Sequence, residues 1–121
     1  MDTGKENEQI AMKWFDAFNA QNLDELLELY DEQAKHFSPK LKASRPASNG
    51  LIEGKNALHD WWADSFKRLP GLHYEVQTIT ANRHRVFMEY IRELPGDEDL
   101  QVAEVLEINS GKIIYSRVYH G

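Results

Sequence analysis

The last third of the chain reads Arg85-Val-Phe-Met-Glu-Tyr-Ile-Arg-Glu-Leu94, then Leu100-Gln-Val-Ala-Glu-Val-Leu-Glu-Ile108, then Lys112-Ile-Ile-Tyr-Ser-Arg-Val-Tyr-His-Gly121. Each run is rich in β-branched and aromatic residues, which favour strands. The gaps between the runs carry the turn residues Pro95-Gly96-Asp97 and Asn109-Ser110-Gly111. Short turns of this kind join neighbouring antiparallel strands, so the sequence predicts a three-stranded meander.

Both faces of the predicted meander are partly apolar, whereas a sheet with one wet face alternates apolar and polar residues. We name the two alternating sets of side chains the inner set and the outer set. The inner set is Val86, Met88, Tyr90, Arg92, Val102, Glu104, Leu106, Ile108, Ile114, Ser116, Val118 and His120. The outer set is Phe87, Glu89, Ile91, Ala103, Val105, Glu107, Ile113, Tyr115, Arg117 and Tyr119. Because neither face can be left in water without exposing a large apolar patch, we expect helices to cover one face and a second copy of the sheet to cover the other.

Length and charge restrict the classes of function. The chain has 121 residues, no cysteine and a net charge of -6, and its pI is about 5.3. This length suits one domain over residues 1–121, and the acidic balance argues against nucleic acid and anionic membranes as partners. The lack of cysteine excludes disulfides, thiolate metal sites and cysteine nucleophiles. No apolar run is long enough to span a bilayer and residues 1–8 contain no apolar stretch, which predicts a cytoplasmic protein.

Helical periodicity marks three segments before the meander. Residues 7–19 carry one apolar stripe, and Asn22 followed by acidic residues is typical of the N-cap of a second helix. Residues 55–69 place aromatic side chains on one face before Pro70-Gly71 ends the third helix. A first long strand is predicted over residues 72–81, which gives an α+β layout.

The segment between the second and third helices is less regular. Residues 36–39 are predicted to be a short extended piece that ends at the proline. Residues 39–53 are predicted to be an irregular loop, either a lid or disordered. The cations Lys40, Lys42 and Arg45 belong either to a solvated loop or to a mouth that attracts a carboxylate.

Several pieces of the chain together resemble a known superfamily. They are Trp14-Phe15-Asp16-Ala17-Phe18-Asn19 with Asn22-Leu23-Asp24 and Leu29-Tyr30, then Phe37-Ser38-Pro39, then Glu53-Gly54-Lys55 ahead of Trp61-Trp62, and the closing residues 111–121. The chain resembles the SnoaL-like branch of the nuclear transport factor 2-like superfamily, which includes ketosteroid isomerases and small polyketide cyclases. The resemblance covers nearly the whole chain. It implies a cystatin-like cone, in which three N-terminal helices pack in a curved, mainly antiparallel sheet.

The resemblance also implies a hydrophobic ligand inside the cone and a homodimer through its convex face. With the inner set facing the cone, the outer set would form the dimer contact. The residues expected in that contact are Phe87, Ile91, Val105, Tyr115, Arg117 and Tyr119.

The resemblance does not imply the isomerase reaction for this chain. Ketosteroid isomerases use a carboxylate base together with an oxyanion site made of a tyrosine and a protonated acid. On this chain the base position falls at Ser38, the tyrosine position at Trp14 and the acid position at Glu104. A serine hydroxyl is no base at neutral pH and an indole only donates, so we do not expect that mechanism here.

Three residues are candidates for proton transfer. Glu104 on the inner face should be desolvated, which raises a carboxyl pKa and suits acid–base chemistry; the alternative is a structural ion pair with Arg92. His36 and His120 either transfer protons near neutral pH or serve as hydrogen-bonding groups in the core or at the rim. The other histidines, His59, His73 and His84, are expected on the surface.

The candidate ligand-binding residues combine an aromatic wall with polar groups. They are Trp14, Tyr30, Ser38, Trp61, Trp62, Met88, Tyr90, Arg92 and Ser116. Aromatic residues at helical spacing belong to the core more often than to a ligand site, and in this fold the two share surfaces; Tyr90 either donates to a bound carbonyl or is a buried tyrosine bonded to the backbone. The sequence has no zinc-site spacing, no phosphate loop, no dinucleotide fingerprint and no nucleophile elbow, so we expect neither a metal nor a cofactor.

Two functions remain open from the sequence. The first is a cofactor-free protein that binds a small, hydrophobic, carbonyl-bearing ligand and acts as an isomerase, cyclase or dehydratase through Glu104 and a histidine. The second is a non-catalytic ligand-binding or protein-interaction module, which the serine and tryptophan at two isomerase positions favour.

Overall fold

The structure, a computed structural model, describes residues 4–120. Its helices are α1 (Gly4–Asn19), α2 (Leu23–Glu28), α3 (Pro39–Ser44) and α4 (Lys55–Arg68), with one short 3-10 turn at Pro46–Ser48. Its strands are β1 (Tyr30–Phe37), β2 (Leu51–Glu53), β3 (His73–Ala81), β4 (Arg85–Glu93), β5 (Leu100–Asn109) and β6 (Lys112–His120). The last strand was predicted to reach Gly121, which lies outside the described residues.

The strands form one open, curved sheet in the order β2-β1-β6-β5-β4-β3. All neighbouring pairs are antiparallel except β1 and β6, which run parallel. The predicted meander is confirmed as β4, β5 and β6, and the α+β cone is confirmed as the fold class. The helices pack inside the curve of the sheet and share one apolar core with it.

Helix α1 is held near its N-terminal end by the turn that follows β3 and at its C-terminal end by β3 itself. The side chain of Asn7 donates from Nδ2 to the Asn82 carbonyl at 2.8 Å. At the other end, Asn19 accepts from the Tyr74 N–H at 2.8 Å and donates to the Tyr74 carbonyl at 3.0 Å. Asn22 then caps α2, as predicted, by accepting from the Glu25 N–H. These bonds place the apolar stripe of α1 over the concave face of the sheet.

The meander contains a β-bulge that the alternating pattern did not predict. Glu107 pairs with Tyr115, but Ile108 pairs with Ile113, so Ile114 is an extra residue in β6. Ile113 is therefore fully buried, whereas Ile114 is 39% exposed. The assignment of Ile114 to the inner set and Ile113 to the outer set is wrong, because one inserted residue moves each side chain to the opposite face.

Residues 30–53 are more regular than the sequence indicated. Strand β1 begins at Tyr30 rather than at residue 36, with Tyr30, Ala34 and His36 buried. The predicted irregular loop instead contains α3, the 3-10 turn and β2. The hydroxyl of Ser38 caps α3 by accepting from the Leu41 N–H, and Pro39 occupies the first turn. The expectation of an irregular or disordered loop is wrong for this segment, and the expectation of a lid stays a prediction.

No helix within residues 4–120 is long and apolar enough to cross a membrane.

Candidate functional site

A cavity of about 860 Å³ opens between the concave face of the sheet and helices α3 and α4. This volume lies within the range of small-molecule sites. Its apolar and aromatic lining is Phe18, Leu41, Leu51, Ile52, Ala57, Trp61, Trp62, Leu69, Leu72, Tyr74, Val102 and Val118. Its polar lining is His36, Ser38, Lys40, Ser44, Arg45, Ser48, Glu53, Asp60, Asp64, Ser65, Arg68, Tyr90, Arg92, Glu104 and His120.

Glu104 is the buried acid of this cavity. It lies on β5 between Met88 of β4 and Val118 of β6, and its side chain is 1% exposed. The Tyr90 hydroxyl donates to Oε1 at 2.8 Å. Within residues 4–120, Oε2 is the one buried side-chain polar atom that has no hydrogen-bond partner. The ion pair with Arg92 that was the alternative does not form.

Burial changes the protonation of Glu104. Loss of water around the carboxyl raises its pKa from 4.5 to about 8, although the hydrogen bond from Tyr90 acts in the opposite direction. At neutral pH the carboxyl is therefore mostly protonated. With Oε1 accepting from Tyr90, the proton is assigned to Oε2, which then is a buried O–H donor without a described acceptor.

His36 is the second buried titratable group of the lining. Its ring is 4% exposed, and its Nδ1 lies 2.6 Å from the Ser116 hydroxyl oxygen. Burial lowers the pKa of this histidine from 6.5 to about 4, so the ring is neutral at pH 7. The indole of Trp62 packs against it with ring centroids 5.4 Å apart.

Four of the predicted ligand-binding residues lie behind the cavity wall. Trp14, Tyr30, Met88 and Ser116 are fully buried and do not belong to the lining. Three of them form a hydrogen-bonded chain in which Trp14 Nε1 donates to the Tyr30 hydroxyl at 3.1 Å and that hydroxyl donates to Ser116 at 3.0 Å. Their hydrogen bonds reach the cavity at His36, whose Nδ1 lies beside the Ser116 hydroxyl.

The other predicted site residues do line the cavity. These are Ser38, Trp61, Trp62, Tyr90 and Arg92, together with His120. The pKa of His120 is lowered by partial burial and by the neighbouring cations Lys40 and Arg92. Because the Ser38 hydroxyl already caps α3, it is engaged with the backbone.

Sequence reasoning missed Tyr74 and the contribution of α3 and β2. The Tyr74 ring lies 4.4 Å from that of Tyr90, and its strand pairs it with Arg92. This pairing on the inner face was the available signal, but β3 has a register shift between Val76 and Thr78 that the alternating pattern does not reveal. The acids Asp60 and Asp64 of α4 also belong to the cavity lining.

Basic residues lie at the rim as well. Two of the three cations predicted for a mouth, Lys40 and Arg45, belong to the lining, and Lys42 does not. Arg92 joins them from β4. None of these three lining cations forms an ion pair with a described carboxylate, whereas Arg68 is paired with Asp64 at 2.6 Å.

The three histidines expected on the surface are exposed, as predicted. One of them, His73, lies in a surface group with Glu75 and Glu93 whose ligand atoms are within 4.8 Å of one another. This group lies outside the cavity, and exposed acidic groups of this kind are common without an ion.

Comparisons with known proteins agree with this geometry. The sequence profile of the SnoaL-like domain matches residues 11–116, and no curated protein matches the chain. One similar solved structure is a SnoaL-like protein of unknown function from Burkholderia thailandensis, with 23% identity, a TM-score of 0.84, and coverage of 97% of this chain and 95% of that chain.

Two further solved structures have the same fold. A candidate ketosteroid isomerase from Kribbella flavida has 20% identity and a TM-score of 0.81, covering 100% of this chain and 82% of that chain. A candidate polyketide cyclase from Sinorhizobium meliloti has 18% identity and a TM-score of 0.75, covering 92% and 94%. With the profile match extending over most of its length, the chain belongs to the SnoaL-like domain family.

Proposed function

We propose that this protein binds a small, mostly apolar, carbonyl-bearing ligand in the cavity and holds the carbonyl oxygen with the neutral carboxyl of Glu104. The observation that carries the proposal is the buried Oε2 atom of Glu104, which lacks a partner within residues 4–120 and belongs to a cavity whose wall combines aromatic and aliphatic side chains with polar ones. A protonated carboxyl needs an acceptor, and leaving its donor unpaired in a buried site costs about 1–3 kcal/mol. A ligand carbonyl is the acceptor that fits these surroundings.

Tyr90 supports this assignment. Its hydroxyl is committed to Glu104 Oε1, and burial together with the nearby carboxyl raises the pKa of the phenol well above its usual value. Tyr90 therefore remains a donor throughout the ordinary pH range. Because Tyr90 donates to Oε1 of Glu104, Oε1 is the accepting oxygen and Oε2 is the oxygen that carries the proton.

The same arrangement suits proton transfer beside a carbonyl. Glu104 would give its proton to the carbonyl oxygen while a neutral base removes a proton from the adjacent carbon, which yields an enol and a charged pair of side chains. Return of a proton to another carbon, with Glu104 recovering its own, completes an isomerisation without a cofactor. His36 and His120 are the histidines of the lining that could act as the base.

A non-catalytic ligand-binding or protein-interaction role is the second candidate. One observation favours it, namely that the residue at the base position of the isomerases is Ser38, whose hydroxyl accepts from the Leu41 N–H at 3.3 Å. A group of this type, already engaged in a helix cap, does not remove a proton from carbon.

Ligand binding by three variants tests the proposal. Thermal shift with hydrophobic ketones, each compared with its matched hydrocarbon, should show a preference for the ketone. Glu104→Leu should lose that preference, Glu104→Gln should keep it because the amide still donates, and Ser65→Ala, which removes a lining hydroxyl bonded to the Trp61 carbonyl, should not change it. An unaltered ketone preference in Glu104→Leu would contradict the proposal.

Turnover distinguishes the enzyme from the binding module. Once a ketone that binds is found, loss of its conversion in Glu104→Gln with retained binding would support proton transfer. Binding without conversion by the wild-type protein would support the non-catalytic candidate.

We also propose a homodimer through the convex face of the sheet. Its support is the exposure of large apolar side chains there, since Phe87 is 41% exposed, Tyr119 46% and Ile114 39%. Ile114 replaces Ile113 in this surface because of the bulge in β6. The guanidinium of Arg117 lies 4.6 Å from the centre of the Tyr115 ring and holds the two side chains together on this face.

A further inference from the structure

We infer that the buried chain Trp14–Tyr30–Ser116 fixes His36 in the tautomer that carries its proton on Nε2, so that the cavity receives a second neutral hydrogen-bond donor. Trp14, Tyr30 and Ser116 are then positioning residues, which act on a ligand only through the imidazole. The assignment follows from counting donors and acceptors along the chain.

The hydrogen bonds from Trp14 to His36 all run in one direction, because the first donor is an indole. Trp14 Nε1 can only donate, so the Tyr30 oxygen accepts from it at 3.1 Å. The Tyr30 hydroxyl proton then requires another acceptor, and the Ser116 oxygen is 3.0 Å away. Burial and the nearby Glu104 raise the pKa of this phenol, so the proton is present at all ordinary pH values.

Ser116 accepts from Tyr30 and therefore donates its own proton to His36. Its hydroxyl is fully buried and already accepts from Tyr30. Its own proton has one described acceptor, the Nδ1 atom of His36 at 2.6 Å. If Nδ1 instead carried a proton, Ser116 would accept twice and its own proton would be buried without a partner, which costs about 1–3 kcal/mol.

The remaining ring nitrogen reaches the cavity. His36 belongs to the cavity lining, and its Nε2 is not among the buried atoms that lack a partner within residues 4–120. Since Nδ1 accepts from Ser116 and the buried ring is neutral, the single ring proton lies on Nε2. This N–H is therefore available to a ligand.

This tautomer gives the ligand a second requirement, which rests on the proposed function. Glu104 on β5 and His36 on β1 would both donate, so the favoured ligand has two separate acceptor oxygens on an apolar skeleton, as in a diketone or an oxo-ester. A nitrogen that carries a proton cannot accept one, so His36 would orient the ligand, and any base would be His120.

Nitrogen NMR of the histidine side chains tests the assignment without a ligand. In 15N-labelled protein at pH 7, each ring nitrogen reports whether it carries a proton, and His36→Gln identifies the signals of His36. We expect Nε2 of His36 to be protonated and Nδ1 to be unprotonated in the wild-type protein. A wild-type ring with its proton on Nδ1, or an even mixture of tautomers, would overturn the inference.

Two variants test the role of the chain. Tyr30→Phe removes the bond that occupies Ser116, so Ser116 can then donate to Nδ1 or accept from it, and the Nδ1–H form should become populated. Ser65→Ala, the matched control outside the chain, should leave the His36 signals unchanged. An undisturbed His36 tautomer in Tyr30→Phe would show that the chain does not set it.

The ligand requirement has its own measurement. A hydrophobic dione should bind more tightly than the matched monoketone, and His36→Phe should reduce that difference several-fold while keeping the ketone preference that depends on Glu104. Equal loss for both ligands would overturn the two-donor requirement. Loss of ketone preference only in Glu104→Leu, with an Nδ1–H ring at His36, would leave the proposed function standing and remove this inference.

Discussion

Glu104 and His36 are two titratable groups that the same cavity keeps neutral. Burial raises the pKa of the Glu104 carboxyl to about 8 and lowers the pKa of the His36 ring to about 4. A carboxylic acid and an imidazole that are both uncharged at pH 7 allow an apolar ligand to pack against these two groups without desolvating an ion at either of them. The protonation states of these two residues are therefore the basis of the proposed function.

These opposite pKa shifts predict how stability depends on pH. Above pH 4.5 the unfolded chain releases the Glu104 proton but the folded protein keeps it up to about pH 8, so the free energy of unfolding falls as pH rises through this window. At about 1.4 kcal/mol for each pKa unit, the loss amounts to roughly 5 kcal/mol. Below pH 6.5 the unfolded chain binds a proton at His36, whereas the folded protein keeps this ring unprotonated down to about pH 4. The free energy of unfolding therefore falls as pH drops through that window.

Urea unfolding across the pH range checks this prediction. The two contributions oppose one another between pH 4.5 and 6.5, and only that of Glu104 changes between pH 6.5 and 8. Glu104→Gln should therefore remove the decline above pH 6.5 and uncover a loss of stability as pH falls from 6.5 to 4.5, which the two opposing contributions largely cancel in the wild-type protein. A decline of the same size in this variant would show that other groups cause it.

At the scale of residues, the sequence predicted Glu104 but not its surroundings. Strand alternation was enough to place it on the inner face, because no bulge intervenes in β5 between Leu100 and Glu107. The chain from Trp14 to His36 could not be predicted, since it joins residues separated by 16, 86 and 80 positions. Only the parallel pairing of β1 with β6 brings His36 beside Ser116.

At the scale of elements, the segment from Ser38 to Gly50 determines the shape of the cavity mouth. Helix α3 and β2 each contribute lining residues, and the Ser38 N–H donates to the Gly50 carbonyl at 2.9 Å. The sequence pattern predicted a loop here, because α3 is only six residues long and contains one buried side chain, Leu41. Helices this short depend on tertiary contacts rather than on propensity.

Gly50 gives a prediction for this segment. It has φ +76°, and a Cβ built on it would lie 2.7 Å from Phe37 Cε1 and 2.9 Å from the Ser38 carbonyl oxygen. Gly96 also has positive φ but has nothing within 4 Å of such a Cβ. Gly50→Ala should therefore lower the free energy of unfolding by clearly more than Gly96→Ala, for which backbone strain alone costs about 1 kcal/mol. Equal losses in denaturant unfolding would mean that the close approach at Gly50 is not present in solution.

Ser38 gives a second prediction at this scale. Its hydroxyl caps α3, so Ser38→Ala should lower the free energy of unfolding by about 1 kcal/mol, whereas Ser38→Asp should retain most of the stability. If Ser38→Ala abolished ligand binding without any loss of stability, the hydroxyl would belong to the ligand site rather than to the helix cap.

At the scale of the whole molecule, the sequence predicted an architecture with two apolar sheet faces, and the cone fold is confirmed. The helices cover the concave face, where the core residues of β4, β5 and β6 are buried. The bulge in β6 could not be predicted from the alternation of side chains along the strand, because a pattern of period two has no signal for one inserted residue. It exchanged the positions of Ile113 and Ile114, and only the latter lies on the exposed face.

The proposed dimer is the prediction that belongs to this scale. A stable interface buries roughly 800 Å² of each partner, and the convex face offers Phe87, Ile114 and Tyr119 as its exposed apolar centre. Sedimentation should give about twice the 14.0 kDa mass of the chain. Tyr115→Asp should give the monomer mass, whereas Met12→Asp, which alters an exposed apolar residue on helix α1, should not. A wild-type monomer at micromolar concentration would rule out this interface.

The proposed function requires that the Glu104 carboxyl is neutral, and its protonation can be measured directly. Carbon NMR of protein labelled at the glutamate side-chain carboxyls follows each titration, and Glu104→Gln identifies the Glu104 signal by its absence. We expect this carboxyl to be protonated at pH 7 and to titrate with a midpoint near pH 8. A carboxyl already ionised at pH 7, with an ordinary midpoint near pH 4.5, would contradict it.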